Sequence, residues 1–573
     1  MDISNLRWWG WGTRDQSFSL QDHPAFWPTL REWLKLPAAS LGHGSAPVPL
    51  DEISLRPSRL DDPVLASLRH LLGDDAVYTD KLSRVEHAYG KSYRDLVRIR
   101  AGYIPHPPDA VVYPADQGNV ASLLAWAADR DIAIVPFGGG SSVTGGVEPH
   151  TGEQPTITLD LARLDHVLTV DPVSRTARIQ AGATGPEVEA QLNAQGFTLG
   201  HFPQSFEFST LGGWIATRSS GQNSVGYGKI EQMTQAVRVV TPVGLAETKD
   251  TPASAAGPSL LQLLVGSEGT CGVITEAVMR IHPQPAFQDY RGILFHTLGD
   301  GIAAFRDLIQ CQELHPAIVH LSDAHETAAW AVMGHERHGL RRLTNVLSER
   351  YLKARGYDLR GGNTLMLLGF EGRPTVVARQ WSTARQICGD HRGLSLGRSV
   401  GQCWMRDRYV HPYLRDTLLG HGVLVGTLET ATSWANLTHL YETTITALKG
   451  AISATDGGPG YVMTHISHAC PHGAALYLTF LGRQVSDPAP LMQQAQWRAI
   501  KQAATEAIMD AGGTLTHHHG VGRDHIPWVE EEVGHVGMRV LRALKQTLDP
   551  TGIMNPGTLL PPRESGPGPE NAR

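Results

Sequence analysis

An apolar, strand-like run leads directly into a glycine-rich loop. Residues 132–137 read IAIVPF, and five glycines follow between Gly138 and Gly146. Successive glycine and serine amides can form a concave set of N–H donors, and the missing side chains let a pyrophosphate approach the backbone. The loop is neither a GxGxxG that opens a helix nor a GxxxxGKS/T, so it predicts neither a Rossmann nor a P-loop site. On its own it fits either a dinucleotide phosphate site or a plain turn.

Short β-branched runs alternate with helical segments after a proline cluster at 105–108. AVVYP, TITLDLARL, AVRVVTP and GVITEAVMRIHP are typical of strands, whereas QGNVASLLAWAADRD is typical of a helix. Farther along, FQDYRGILF and NTLMLLGFEG are strand-like, and each precedes a helical segment. The pattern predicts an α+β fold. We expect an N-terminal region at 1–105, α+β domains at 106–283 and 284–485, a C-terminal helical segment at 486–562 and a disordered tail at 563–573.

Length and composition narrow the class of protein. A chain of 573 residues predicts two or three domains, and a net charge of −7 offers no basic surface, so we expect no nucleic-acid partner. The five cysteines are scattered and free of CxxC spacing, which indicates reduced thiols. No apolar run approaches the roughly 18 residues of a membrane span, and a secretory pattern is absent. We expect a cytoplasmic protein without a transmembrane segment, and leave peripheral membrane contact and a homodimer open.

Two further stretches of small residues follow the glycine loop. They are QSFEFSTLGGWIATRSSG at 204–221 and GSEGTCGVI at 266–274. In this order and spacing, the three stretches resemble the FAD-binding module of the vanillyl-alcohol-oxidase/p-cresol-methylhydroxylase (PCMH) flavoprotein superfamily. The resemblance implies a two-subdomain PCMH-type FAD-binding domain at 106–283, a cap domain for substrate at 284–485, and a C-terminal segment that returns to the flavin.

The resemblance also implies which residues bind FAD. The loop at 136–142 would hold the pyrophosphate, and the other stretches would line the rest of the nucleotide and the isoalloxazine. The implied cofactor-binding residues are Pro136, Phe137, Gly138, Gly139, Gly140, Ser141, Ser142, Gln204, Ser205, Phe206, Glu207, Phe208, Ser209, Thr210, Thr217, Arg218, Ser219, Ser220, Glu268, Gly269, Thr270, Cys271, Gly272, Val273 and Ile274. Some members attach FAD through a histidine or cysteine. Because 136–146, 204–213 and 217–221 contain neither, we expect noncovalent FAD.

Other stretches narrow the resemblance. RWWGWGTRDQSF, MTQAVRVVTPVG and LTHHHGVGRDH are similar to the alkyldihydroxyacetonephosphate (alkylglycerone-phosphate) synthase family, flavoenzymes of ether-lipid biosynthesis, and the similarity runs from residue 7 to residue 560. It implies catalytic roles for Tyr477 and for the run His517, His518 and His519, and substrate binding by Arg415. At the place of a family arginine this sequence has His320, which is shorter and lacks the bidentate guanidinium fork. We expect His320 to contact substrate.

The histidine run admits several interpretations from its residues alone: a metal site, a proton-transfer site, a chance run or a surface tract. We expect a strand-to-turn element closed by Gly520 and Gly522, on which His517 and His519 would share one face and His518 the other, so the three could not do the same work. Imidazole titrates near neutrality, which suits proton transfer beside a flavin.

A second histidine group lies in MTHISHACPHG. His465, His468 and His472 are spaced i, i+3 and i+7, which would form one face of a metal-binding helix, or they lie on a strand or loop near the substrate. Some 2-hydroxyacid dehydrogenases of the wider superfamily bind a metal through histidines and a carboxylate, but their usual GHxGDGN signature is absent here. We therefore expect no metal site.

Two reactions fit these residues. The resemblance implies exchange of the acyl chain of acyl-dihydroxyacetone phosphate for a fatty alcohol through a flavin N5 adduct, without net oxidation. The alternative is an FAD-linked oxidase or dehydrogenase of a 2-hydroxy acid or alcohol, in which Arg415 holds a carboxylate and a histidine takes the hydroxyl proton. A nonenzymatic flavin-binding protein is a third class. We expect the first reaction, on a small-molecule or lipid-like substrate.

Overall fold

The computed structural model describes residues 5–16, 18, 20, 23–36, 46–149, 152–333, 352–358, 362–485 and 489–561. The predicted disordered tail at 563–573 lies outside these residues. Strands β1 to β18 span, in chain order, Val77–Tyr78, Ala110–Val112, Ala133–Phe137, Thr156–Asp160, Val167–Asp171, Thr176–Gln180, Phe197–Thr198, Thr234–Thr241, Gly244–Glu247, Val273–Arg280, His282–Pro283, Phe287–Phe295, Ile318–Ser322, Thr364–Gly372, Leu394–Gly397, Val423–Ser433, Tyr461–Cys470 and Gly473–Arg483.

The helices connect and cover these strands. Helices α1 to α18 span, in chain order, Phe26–Leu34, Asp62–Leu72, Lys81–Glu86, Tyr93–Arg100, Gln117–Ala128, Gly185–Asn193, Leu211–Thr217, Ser224–Tyr227, Ile230–Met233, Leu260–Leu264, Leu298–Gln310, Ala324–Met333, Pro374–Asp390, Arg398–Asp407, His411–Leu419, Leu437–Ala454, Pro490–Asp510 and Val529–Leu548.

The strands form three larger sheets and one small one. A four-stranded sheet has the order β1-β2-β4-β3, in which β4 pairs in parallel with β2 and β3. A five-stranded sheet has the order β5-β6-β10-β8-β9, and a seven-stranded sheet has the order β15-β12-β14-β13-β17-β18-β16; both are antiparallel. β7 and β11 pair separately. The predicted α+β class is confirmed.

Local chemistry explains why the elements begin where they do. Asp116 caps α5 by accepting from the Asn119 amide, and Asp61 caps α2 in the same way. A proline in the first turn starts α17, where its missing N–H costs no hydrogen bond. The strands and helices predicted for 110–137, 156–160, 234–241, 273–295, 364–390 and 490–510 are confirmed.

Two large hydrophobic cores hold the sheets. One packs helices α11, α13, α16 and α17 against the seven-stranded sheet, and its buried residues include Phe305, Trp381 and Leu448. The other fills the space between the four- and five-stranded sheets. The described cysteines are free, as expected. Among the described helices, none combines the length and apolarity needed to cross a bilayer.

The C-terminal segment returns to the first sheet. Met554 forms a parallel bridge with Ile134 on β3, and Asn555 donates to the carbonyls of Gly146 and Glu268. The loop at 511–525, which precedes α18, is held against the glycine-rich loop after β3 by hydrogen bonds from the amides of Arg523 and Asp524 to the Thr144 carbonyl.

Candidate active site

The glycine-rich loop opens onto a cavity of about 400 Å³. Its other walls come from α1, α12 and α15, from β13, β16, β17 and β18, and from the loop around residue 518. A smaller cavity of about 90 Å³ shares Gly138, Ser142, Thr210 and Thr217 with the first. The two cavities adjoin at these residues and are together called the groove, whose size is typical of ligand sites.

Most residues predicted to bind FAD line this groove. The larger cavity is lined by Gly138, Gly139, Gly140, Ser141, Ser142, Gln204, Ser205, Ser209, Thr210, Thr217, Ser219 and Ser220. The smaller one adds Pro136, Phe137, Glu268, Gly269, Gly272 and Ile274.

The other predicted cofactor residues lie behind the groove wall. Arg218 donates to the carbonyls of Val265 and Gln262, and Phe206 stacks on Tyr409. Glu207 accepts a hydrogen bond from Tyr413, and Trp11 packs edge-on against Phe208. Thr270, Cys271 and Val273 are buried. These residues do not line either cavity.

The groove fits a dinucleotide. A Cβ atom on Gly139 would lie 1.7 Å from the carbonyl oxygen of Phe208, so only glycine allows this close approach. Gly140 has a φ of +60°, a conformation that glycine adopts without strain. The Ser220 hydroxyl is buried and, among the described residues, lacks a hydrogen-bond partner. A polar group left in this state is costly unless a ligand pairs with it.

Tyr477 occupies the centre of the cavity's sheet wall. On the two neighbouring strands it is paired with His465 and with Glu429, so three polar side chains form one row across β17, β18 and β16. Its ring stacks on His465 with centroids 4.9 Å apart and faces His519 edge-on at 5.6 Å. Burial raises the pKa of the Tyr477 phenol, which therefore stays protonated at neutral pH.

The histidine run lies in a bend held by one carboxylate. Glu429 accepts hydrogen bonds from the amides of His517, His518 and His519 and from the Thr516 hydroxyl. Burial alone would raise the pKa of Glu429, but His519 and His517 and these hydrogen bonds lower it, so it stays ionised. An anion that accepts several main-chain donors fixes the loop as an N-terminal cap fixes a helix.

The predicted strand through the histidine run is wrong. Residues 511–520 form turns and bends, because Glu429 takes the amides that a sheet ladder would have used. His518 and His519 line the cavity together, so the expected alternation of faces is also wrong. His517 packs against His468, and Lys229 donates to its carbonyl at 2.8 Å.

Burial keeps the imidazoles of this region neutral. It lowers the pKa of His518 and of His519, and the nearby ammonium of Lys229 adds to the effect on His518. His468 lies at a bulge in β17, has a φ of +49°, and its Nδ1 is 2.5 Å from the Ser224 hydroxyl. Burial lowers its pKa to about 3. The helical spacing considered for the group with His465 is thus not realised, since His465 and His468 lie on β17 and His472 lies in the turn after it.

Arg415 lies on α15 and lines the same cavity. Its Nε atom is buried and has no hydrogen-bond partner within the described part of the chain. Burial lowers the pKa of its guanidinium, and Asp416 opposes that shift. A buried cation with an unpaired donor of this kind is suited to an anionic ligand.

His320 lies on β13 and also lines the cavity. Its Nε2 atom is 3.4 Å from a carboxylate oxygen of Glu326, and its ring lies 4.1 Å from that of His465. His465 Nδ1 is 2.8 Å from the other oxygen of Glu326. Two histidines and one glutamate therefore meet at one point of the cavity wall.

The histidine bend is tied to the glycine-rich loop. Glu268 accepts from the amides of Val521 and Gly522 at 2.7 Å each, and the Thr144 hydroxyl donates to the His519 carbonyl. Burial raises the pKa of Glu268 to about 7. The cofactor groove and the histidines are thus a single unit.

Three side chains in this site were not predicted from the sequence: Glu326, Glu429 and Lys229. Each has at least one partner far away in the chain, and an isolated acidic or basic residue gives no signal of its own in the sequence. Glu326 alone had a local clue, because it follows His320 within six residues.

Two family models match the chain. One, described as an FAD binding domain, matches residues 108–248, and the other, described as the C-terminal domain of FAD linked oxidases, matches residues 284–559. With the groove described above, these matches define the protein as a PCMH-type flavoenzyme whose cofactor is FAD.

Individual proteins that are similar to this chain define its family within the PCMH-type flavoenzymes. The chain is 37% identical to the alkyldihydroxyacetonephosphate synthase of Dictyostelium discoideum, over 93% of this chain and 88% of that protein. It is 35% identical to the synthase of Trypanosoma brucei brucei, over 88% and 82% of the two chains. A solved structure of an alkyldihydroxyacetonephosphate synthase superposes with a TM-score of 0.82 at 32% identity and covers 98% of each chain. The chain belongs to the alkyldihydroxyacetonephosphate synthase family.

Proposed function

We propose that this protein exchanges the acyl chain of acyl-dihydroxyacetone phosphate for a long-chain alcohol, with bound FAD and without net oxidation. The observation that carries the proposal is the composition of the cavity. A guanidinium whose Nε donor finds no partner among the described residues lies on this cavity beside the cofactor groove, and so does a long apolar wall. A substrate with a phosphate and a fatty chain matches both features.

The apolar wall supports a lipid-like substrate. It is built from α1, α12, α15 and the neighbouring strands, through Phe26, Leu30, Trp33, Met333, Leu418, Val425, Met463 and Leu481. Most of these residues also pack into a hydrophobic cluster of their own. Burying a fatty chain here would gain about 0.8 kcal/mol per methylene group.

Arg415 would bind the phosphate. Its planar guanidinium can donate two parallel hydrogen bonds to a phosphate, and its buried surroundings strengthen them. The partner that the Nε atom lacks would then be supplied by the substrate.

Tyr477, His518 and His519 would handle protons. The protonated phenolic oxygen of Tyr477 can donate to a substrate oxygen, and the neutral imidazoles can accept a proton from substrate carbon or from the incoming alcohol. His517 would position His518, since their Nδ1 atoms are 3.1 Å apart.

FAD would lie along the glycine-rich loop, with its pyrophosphate at residues 138–142 and its ring toward Tyr477 and the histidines. When bound, it supplies the nitrogen nucleophile that the exchange requires. The four- and five-stranded sheets would form the FAD-binding domain, and the seven-stranded sheet the substrate domain. The described part of the groove contains no cysteine or histidine on the glycine loop itself, which supports noncovalent binding.

The oxidase alternative is the weaker one. A small 2-hydroxy acid could pair with Arg415, but it would leave the apolar wall of the cavity unfilled. Peripheral membrane contact, a homodimer and a cytoplasmic location stay predictions.

Substitution of Arg415 tests the proposal. Arg415→Met should raise KM for acyl-dihydroxyacetone phosphate by about 10- to 100-fold, since a charged hydrogen bond contributes about 1.5–3 kcal/mol. Turnover of the dephosphorylated analogue, acyl-dihydroxyacetone, should change little. Equal losses on both substrates, with FAD content unchanged, would place the phosphate elsewhere.

A further inference from the structure

A cluster of metal-ligating side chains lies in the cavity wall, apart from the histidine bend. His320 on β13 and His465 on β17 belong to paired strands and point to the same face, since Ser322 is the register partner of His465. Glu326, near the start of α12, reaches over both imidazoles. Ligand atoms of the three residues lie within 4.8 Å of one another.

The separations fit the coordination of a small divalent ion. Ligands about 2.1 Å from a tetrahedral zinc ion lie roughly 3.4 Å from one another. His320 Nε2 and Glu326 Oε2 are 3.4 Å apart, and His465 Nδ1 and Glu326 Oε1 are 2.8 Å apart. The first separation matches the ligand–ligand distance around zinc, and the second is shorter, as in a hydrogen-bonded pair.

The carboxylate of this cluster is free to bind a metal. Among the described residues, the side-chain oxygens of Glu326 contact only the two imidazoles. A second possible group, Glu429 with His517 and His518, differs in this respect. Glu429 is already occupied by three backbone amides and the Thr516 hydroxyl, so a metal there would have to break the histidine bend.

We propose that His320, Glu326 and His465 form a binding site for one divalent transition-metal ion of the zinc class, with a fourth coordination position open to the cavity. Two histidines and one glutamate are a ligand set that zinc accepts in sites with an open position. All three residues line the cavity, so the open position faces the space where substrate would bind. The proposal replaces the expectation of no metal site. Metal binding here does not depend on which substrate the cavity takes.

Calorimetry with zinc chloride tests the site. The tag-free, FAD-loaded protein is first treated with a chelator and then titrated, and metal content is measured by elemental analysis after dialysis. We expect one zinc per chain in the unmodified protein and loss of that binding in Glu326→Gln and in His320→Ala. His468→Ala, which removes another cavity histidine, should still bind one zinc.

Copper electron paramagnetic resonance gives a second reading that does not depend on activity. Cu²⁺ bound at the site should show superhyperfine splitting from two nitrogen ligands, and His465→Ala should lose it. FAD content and circular dichroism identify variants that fail to fold. Zinc at less than one ion per chain in the unmodified protein, or one ion per chain retained in both Glu326→Gln and His320→Ala, would overturn the proposal.

Discussion

Glu429 lies directly across from Tyr477 in the β16–β18 pair, and the histidine bend held by Glu429 places His518 parallel to the Tyr477 ring, with centroids 5.9 Å apart. The same carboxylate therefore stands beside the phenol and fixes the backbone of the imidazoles. This arrangement couples the sheet wall of the cavity to the C-terminal segment of the chain.

Removal of the phenolic hydroxyl should separate proton transfer from cofactor binding. Tyr477→Phe keeps the ring between His465 and His518 but removes its hydrogen-bond donor. We expect turnover to fall by about 10²- to 10⁴-fold, the usual contribution of a positioned acid or base. Steady-state assay and flavin absorbance are the measurements. Loss of FAD would mean that the phenol has another role. Turnover that stays within about threefold of the unmodified protein would mean the same, since a positioned acid or base contributes far more than that.

The carboxylate that holds the bend should matter even though it does not face the substrate. Glu429→Gln keeps one oxygen acceptor but removes the charge, so the amides of His517 and His519 lose charge-assisted bonds worth about 1.5–3 kcal/mol each. We expect turnover to fall by at least about tenfold and thermal stability to drop. Glu326→Gln is the matched comparison, because Glu326 lines the cavity without contacting the bend, and it should leave the bend intact. A fully active and equally stable Glu429→Gln protein would contradict this role.

The glycine-rich loop should bind FAD only while its glycine positions carry no side chain. In Gly139→Ala the new methyl group would meet the Phe208 carbonyl at 1.7 Å, so the loop must move. We expect the purified protein to lose most of its flavin, as measured by its visible spectrum. Gly389→Ala is the control, because that position lies in α13 with open space around it. Full flavin in Gly139→Ala would show that the loop does not carry the pyrophosphate.

Acid pH should inhibit the enzyme only below the ordinary imidazole range. Burial lowers the pKa of His518 and His519, so both stay neutral as pH falls through about 6.5, where a free imidazole takes up its proton. The acid limb of the kcat/KM profile should therefore lie below about pH 6.5. Circular dichroism at each pH checks that the protein remains folded. An acid limb at a higher pH would indicate that these imidazoles are charged in the free enzyme.

Local patterns predicted much of this molecule. The run IVPF followed by glycines predicts β3 and its loop, and QGNVASLLAWAADRD predicts α5, because these signals act within a few residues. Tyr477 and Arg415 were placed by family resemblance, and the structure brings both to the cavity.

Long-range pairing set the limit of prediction. Nothing near His518 in the sequence indicates that Glu429, some ninety residues earlier, takes its amide and turns an expected strand into a bend. In the same way, the meeting of His320 with His465 depends on the pairing of β13 with β17. A single-sequence pattern contains no information about which strands become neighbours.

The most direct test of the proposed function follows both the chemistry and the flavin in one anaerobic reaction. The protein is mixed with acyl-dihydroxyacetone phosphate and a labelled long-chain alcohol, while fatty acid, labelled ether product and the visible spectrum are recorded. We predict that ether forms in equal amount to the released fatty acid and that the flavin is oxidised at the start and at the end. Bleaching of the flavin by 2-hydroxy acids, with no ether formed from acyl-dihydroxyacetone phosphate, would contradict the account.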